Sequence, residues 1–342
     1  MVRQEEIIQL EEDITSQRFG GSTIMVSISR RDLLRGLGAA FGALLTGKSL
    51  TRRASAEEGA KAGTFRFVHL TDIHVQPELK AAEGMAACLK HVAQLNPAPD
   101  FILTGGDLVM DALEQDVQRT TLLFKLFTRV LQDNTSLPVH HCIGNHDVFG
   151  WGKKHGVTPE TPGYGKKMFC EVFGYEKTYY TFDHKGWRFF LLDSVQPSEK
   201  LLYEGGLDPE QWEWLEEQLQ KKPAGMPGII VSHIPFVTVT VLPDAVQDSQ
   251  FRIGAGSLCT GAQKLSLLLS QHNVRLAISG HIHMVDEVEY RGVKYVCDGA
   301  VSGRWWKGAN KGFPEGYGVF DLSPDGSVKY QYVTYGWQAA QT

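Results

Sequence analysis

Five short motifs set oxygen and nitrogen donors along the chain: Asp72-Ile73-His74, Gly106-Asp107, Gly144-Asn145-His146-Asp147, Ser232-His233 and Gly280-His281-Ile282-His283. Each follows a short apolar run, and in a layered α/β fold the residues just past the carboxyl ends of strands converge on one crevice. The donors are carboxylates, an amide and imidazoles, a mixture suited to Mn, Fe, Zn or Co rather than to Ca or a thiolate centre. One ion would leave several of them unused. Two ions roughly 3.5–4 Å apart would engage them all, with a carboxylate and a solvent-derived hydroxide between them.

The elements that must position these residues are legible as alternating strand-like and helix-like runs from Thr64 onward, which predicts a layered α/β domain. Strands are expected at Phe65 to Leu70, Phe101 to Thr104, Val139 to Ile143, Gly228 to Ser232 and Val274 to Ser279, each ending at one of the motifs. Helical spacing is read over Leu79 to Leu95 and Leu113 to Leu131, and over Glu210 to Leu219, where Asp208-Pro209 supplies an N-cap and a proline at the first turn. Strand pairs at Thr178 to Phe182 with Arg188 to Leu192, Val285 to Tyr290 with Val293 to Cys297, and Tyr317 to Leu322 with Val328 to Thr334 flank turn-forming residues and predict a second, antiparallel set. Phe149 to Phe173 and Phe236 to Thr260 have neither period and read as substrate-facing insertions.

The order and spacing of the motifs resemble the calcineurin-like metallophosphoesterase superfamily, whose pattern DxH, GD, GNH(D/E), H and GHxH is matched at every element over roughly Phe65 to Val333. The resemblance implies an α/β/β/α sandwich of two mixed sheets flanked by helices, with the active site at the carboxyl ends of the strands. It further implies that Asp72, His74 and His283 bind one metal, that Asn145, His233 and His281 bind the other, and that Asp107 bridges them. His146 would face the substrate as proton donor, and Asp147 would either orient His146 or serve the structure. Hydrolysis of a phosphate ester needs charge neutralised on the phosphoryl oxygens, an in-line nucleophile and a proton for the departing alkoxide; two cations, their hydroxide and His146 would meet the three needs.

Departures from subfamily patterns narrow the expectation. Met110 stands where purple acid phosphatases carry a tyrosine ligand, and Gly106-Asp107-Leu108-Val109-Met110-Asp111 departs from the GDxVDRG of phosphoprotein phosphatases. Leu192-Asp193-Ser194, the Trp212-Glu213-Trp214-Leu215 helix and Ser232-His233 look more like the class III cyclic-nucleotide phosphodiesterase branch. A phosphodiester is therefore expected ahead of a monoester, with an exported phosphomonoesterase or a noncatalytic metal-binding module as the alternatives. In the loop Asp298 to Gly308, Arg304 is a candidate for phosphate contact, and Trp305 and Trp306 for stacking on a flat group, against a packing role for both rings. His69, His91, His140, His141, His155, His184 and His272 read as packed or surface residues.

A net charge of −5 over 342 residues and the lack of a basic tract exclude general attraction to nucleic acid; the expected partner is a small phosphate ester. The five cysteines form no CxxC pair, and their odd number is against a complete disulfide framework. Residues 1–56 read as an extension outside the catalytic domain of residues 57–342. Ser29-Arg30-Arg31-Asp32-Leu33-Leu34-Arg35, an apolar run from Gly36 to Gly47 and Ala54-Ser55-Ala56 resemble a twin-arginine export signal, and so imply the twin-arginine export machinery as a partner. The apolar run falls short of the roughly 20 residues of a bilayer span, so no permanent transmembrane helix is expected. The expected location is periplasmic or extracellular, with membrane association if the signal is retained. Met25, just upstream of the arginine pair, is an alternative start.

Overall fold

The structure is a computed structural model that describes residues 63–247 and 250–339. The expected export signal, its Met25 start and the boundary at residue 56 lie outside the described residues. Among the described residues no helix is long and apolar enough to cross a membrane.

Two mixed sheets form the centre. In the first, β1 (Phe65–Leu70), β2 (Phe101–Gly105) and β3 (Val139–Cys142) run parallel, and the antiparallel pair β14 (Gly316–Leu322) and β15 (Val328–Thr334) extends the β1 side. In the second, β5 (Trp187–Leu191), β8 (Gly228–Val231), β11 (Val274–Ser279) and β13 (Val293–Cys297) are parallel, while β4 (Tyr180–His184) and β12 (Asp286–Tyr290) close its two edges antiparallel. The three strand pairs expected to make a separate antiparallel set instead complete the edges of both sheets. A hairpin buries its apolar face more fully by pairing onto a parallel strand that already has a packed core beneath it than by standing alone.

Strand alternation explains the layering. Phe67, Phe101 and Phe320 from the first sheet meet Trp187, Phe189, Ile229 and Leu276 from the second in one buried cluster between the sheets. Phe67 stacks between Phe101 and Phe320 at 5.3 and 4.9 Å, and Phe189 meets its edge at 5.5 Å. The opposite residues of the same strands, such as Val68, Leu70, Ile102 and Ile230, pack with the helices α1 (Ala81–Val92), α2 (Val117–Asn134), α4 (Pro209–Lys221) and α5 (Ala262–Gln271). Asp116 and Asp208 cap α2 and α4 by accepting from Arg119 N and Gln211 N.

The two irregular segments carry small elements: α3 (Lys167–Phe173) lies in the first, and the two-residue strands β9 (Val246–Gln247) and β10 (Gln250–Phe251) pair in the second. Between β5 and α4 a further short pair forms from β6 (Val195–Gln196) and β7 (Glu204–Gly205). The five cysteines are free thiols. His69 is buried against Asp298 at 2.7 Å, His140 stacks on Phe182, His141 pairs with Thr104, His91 with Tyr317 and His184 with Asp100, which bears out the packing reading for these five.

Candidate metal centre

All seven expected ligands come together at the seam of the sheets, each just beyond a strand. Asp72 and His74 follow β1, Asp107 follows β2 and Asn145 follows β3; His233 follows β8, and His281 and His283 follow β11. Backbone bonds lock these ends to one another: His74 N donates to Asp107 O at 2.9 Å and Gly280 N to His233 O at 3.0 Å. Close approach demands small residues here. A Cβ on Gly280 would stand 2.0 Å from the Thr71 hydroxyl and 2.4 Å from Asp72 Oδ2. Asp72, His74, Asp107, His281 and His283 all hold left-handed backbone, with φ from 46° to 73°, a conformation that nonglycine residues adopt at a cost and that gathers at functional sites.

The donor atoms fall into two groups. Asp72 Oδ1 lies 3.1 Å from His283 Nε2, which lies 3.2 Å from His74 Nε2. Across the site, His233 Nε2 lies 3.2 Å from both Asn145 Oδ1 and His281 Nδ1. Asp107 Oδ2 stands between, 3.6 Å from His74 Nε2 and 3.1 Å from His233 Nε2. Asp107 thereby occupies the shared position.

The outer nitrogens decide what the inner ones offer. His233 Nδ1 faces Gly105 O at 2.8 Å, His281 Nε2 faces Gly256 O at 2.9 Å and His283 Nδ1 faces Gly303 O at 2.5 Å. A ring nitrogen facing a carbonyl must carry the proton, so in each neutral ring the inner nitrogen presents a lone pair. Lone pairs from His233, His281, Asn145 and Asp107 thus converge with no hydrogen among them, an arrangement that only positive charge at their centre makes favourable. Asp72 Oδ1, buried without a hydrogen-bond partner, makes the same demand in the other group. The pKa directions agree. Burial alone would lower His233, yet Asp107 and Asp72 raise it to about 9, a proton answering the same charge. The residues present fit a pair of cations.

His146 stands beside this cluster. Its backbone N–H donates to Asp107 Oδ1 at 2.8 Å, its ring meets the His74 ring edge to face at 4.8 Å, and its Nδ1 is 3.1 Å from Asp111 Oδ1. Burial would depress the imidazole; Asp107 and Asp111 outweigh it and raise it to about 9. Asp147 takes the structural of its two expected roles. Its carboxylate accepts from Leu108 N, Val109 N and Gly144 N, tying the loop that carries Asp107 to the loop that carries Asn145. Asp111 is the carboxylate beside His146, four residues past Asp107; that spacing is the only signal for it in the sequence.

The aromatic loop divides. Trp305 is partly exposed, its ring 5.0 Å from that of His283 and 6.1 Å from that of His74, as a substrate-facing residue would be. Trp306 is 1% exposed, donates its indole N–H to His74 O at 3.0 Å and fills the space above Gly84 in α1. Its expected stacking role is corrected to packing, because its ring is buried against Gly84 and the Trp337 ring while that of Trp305 stays exposed. Arg304 is exposed on the same turn. Tyr203, passed over in the sequence, brings its ring to 6.1 Å from that of His281.

The profile of the calcineurin-like phosphoesterase family matches residues 65–285, and the chain belongs to that family. It is a metal-dependent phosphoester hydrolase. It is 25% identical over 275 residues to a probable cyclic nucleotide phosphodiesterase from Synechococcus sp., covering 79% of this chain and 92% of that one. It is 26% identical over 229 residues to a probable glycerophosphodiester phosphodiesterase from Arcobacter nitrofigilis, covering 64% and 71%. Among solved structures, a dimetal phosphatase from Danio rerio shares the fold with a TM-score of 0.54 at 13% identity, over 80% of this chain and all of that one.

Proposed function

We propose that this chain is an exported phosphodiesterase with a dinuclear metal centre, in which Asp72, His74 and His283 hold one ion, Asn145, His233 and His281 hold the other, and Asp107 holds both. The sharing of Asp107 between two convergent donor groups carries the reading. When bound, the ions supply neutralisation of the phosphoryl oxygens and activation of a water. The chain's own residues do the rest. His146, partly exposed at the edge of the cluster and kept protonated by Asp111 and Asp107, is placed to give a proton to the departing oxygen. Asp147 fixes the two loops, and Trp305 bounds the space on the His74 side. The presence of His146 and Asp111 beside a complete ligand set favours catalysis over a noncatalytic module, which has no use for a leaving-group acid.

The two phosphodiesterase relatives support a diester substrate, and the twin-arginine motif supports export in folded form to the periplasm or beyond, where phosphate esters outside the cytosol would be the substrates. Hydrolysis of bis-p-nitrophenyl phosphate against p-nitrophenyl phosphate, with Mn and then with Zn, Fe and Co, tests the chemistry, with Asn145→Ala as control. Diester turnover lost in the control is expected; a clear monoester preference would make the protein a phosphatase. Fractionation of cells expressing the chain with Arg30→Lys and Arg31→Lys tests export, which the double change should abolish.

A further inference from the structure

The ligand cluster accounts for the phosphoryl group, and the exposed apolar side chains of the neighbouring loops bear on what else the substrate carries. Among the described residues eight large apolar side chains are exposed, and six of them, Leu201, Leu202, Val239, Leu242, Phe251 and Trp305, lie on just three loops, those that follow β5, β8 and β13. These are the carboxyl-end loops of the second sheet, the end at which His233, His281 and His283 are presented. The remaining two, Leu267 on α5 and Tyr290 at the end of β12, are on other elements. Single exposed apolar residues are ordinary, whereas a concentration at one opening marks a binding surface.

The three loops are fastened to the segment that carries the ligands. Beside Leu202, the Tyr203 ring turns edge-on to His281 and packs on Gly256, whose carbonyl accepts from His281. Asp286 accepts from the Thr238 hydroxyl at 2.6 Å and from Val239 N at 2.7 Å, and Asn310 Nδ2 donates to His283 O at 3.2 Å. Lys311 pairs with Asp244 and so links the third loop to the second. Leu201 and Leu202 therefore stand next to Tyr203 on the His281 side of the ligands, and Trp305 stands on the His74 side.

We infer that the substrate is a phosphodiester with a hydrocarbon substituent on one ester oxygen, seated against Leu201, Leu202 and Tyr203 and the exposed Val239, Leu242 and Phe251. The inference rests on the phosphodiesterase reading and adds the substrate class to it. An alkyl chain gains from leaving water in proportion to its length, by up to about fourfold in binding per methylene fully buried. A soluble amphiphile and a lipid in a bilayer share this chemistry.

The test uses the full chain with Mn and a series of p-nitrophenyl alkyl phosphates from methyl to octyl, kept below micelle formation. A two- to fourfold rise in kcat/KM per methylene over the middle of the series is expected, with the slope flattened in Leu201→Ser/Leu202→Ser and in Phe251→Ser and kept in Leu267→Ser. A flat series with methyl and octyl diesters turned over equally would overturn the inference while leaving the phosphodiesterase reading intact. If none is turned over, the phosphodiesterase reading fails, and calorimetric binding of octyl against methyl phosphate still decides the apolar surface: tighter octyl binding upholds it and equal binding removes it. Co-sedimentation with phosphatidylglycerol vesicles together with lipid turnover would identify a bilayer substrate; a rising soluble series without it would identify a free amphiphile. A dimer on size exclusion that the leucine changes convert to monomer would reassign the surface to self-association and reject the inference.

Discussion

His146 gives its backbone N–H to Asp107 and holds its ring Nδ1 3.1 Å from Asp111 Oδ1, so one residue lies against both the shared ligand and a second carboxylate. If it donates the proton, His146→Ala should lower kcat by about 10²–10⁴-fold on an alkyl ester, whose leaving group is strongly basic, and far less on a p-nitrophenyl ester. Asp111→Asn should reproduce a part of that loss with the same dependence on the leaving group, because it removes one of the two carboxylates that hold the imidazole protonated. A comparison of kcat for the two esters checks both variants, and equal losses on the two would remove His146 from the proton step. Asp147→Ala should behave differently. It leaves three buried N–H groups without an acceptor, each costing on the order of 1–3 kcal/mol, so a lower Tm and reduced metal content by elemental analysis are expected, with the leaving-group dependence unchanged.

At the scale of elements, α1 reaches the site through the packing of Gly84 on Trp306. Gly84 leaves room for the Trp306 indole, whose N–H holds the carbonyl of His74; a Cβ there would meet the ring at 2.0 Å. Gly84→Ala should therefore cost roughly 1–3 kcal/mol and weaken Mn binding, although residue 84 touches no ligand. Thermal denaturation and a metal titration measure the two effects, and unchanged Mn affinity would show that the indole does not position His74. The β3 strand makes a second prediction. Burial lowers His140 to about 4 and His141 to about 3, below the ordinary value of 6.5. The unfolded chain then binds protons that the folded chain refuses, so the stability these two residues share is complete above about pH 6.5 and falls on acidification toward pH 4, at up to about 1.4 kcal/mol per pH unit per ring. Urea denaturation between these limits should show that slope, and His140→Gln with His141→Gln should flatten it.

The strands β1, β11, β13 and β15 stand at the boundaries read from the sequence: β1 and β11 because an apolar run that ends at a ligand motif carries both signals at once, β13 and β15 because the turn residues before them mark where they begin. The ligands were legible for the same reason: Asp72, Asp107, His233 and the others are named by short patterns beside strand ends. Asp111, Tyr203 and the division between Trp305 and Trp306 were not. Each depends on where a loop carries a side chain through space, and no periodicity records that. The edge placement of the hairpins was equally hidden, since pairing partners distant in sequence are chosen by the core beneath them.

For the molecule as a whole, the seam between the sheets concentrates buried carboxylates and imidazoles that only cations reconcile. Chelation should accordingly lower Tm, and titration of Mn back should raise it with the logarithm of free ion, since each tenfold excess over Kd adds about 1.4 kcal/mol per independent site. Calorimetry at several Mn concentrations checks this, and a Tm indifferent to Mn would mean that the ions contribute nothing to the fold.

The left-handed backbone at Asp72, His74, Asp107, His281 and His283 sets heat resistance against activity. The three histidines among them would be exchanged for Gly or Asn, residues at ease in that conformation, by any selection that rewarded only survival on heating without metal. A library passed through such a screen should drift toward those replacements at positions 74, 281 and 283, and its most durable members would be inert.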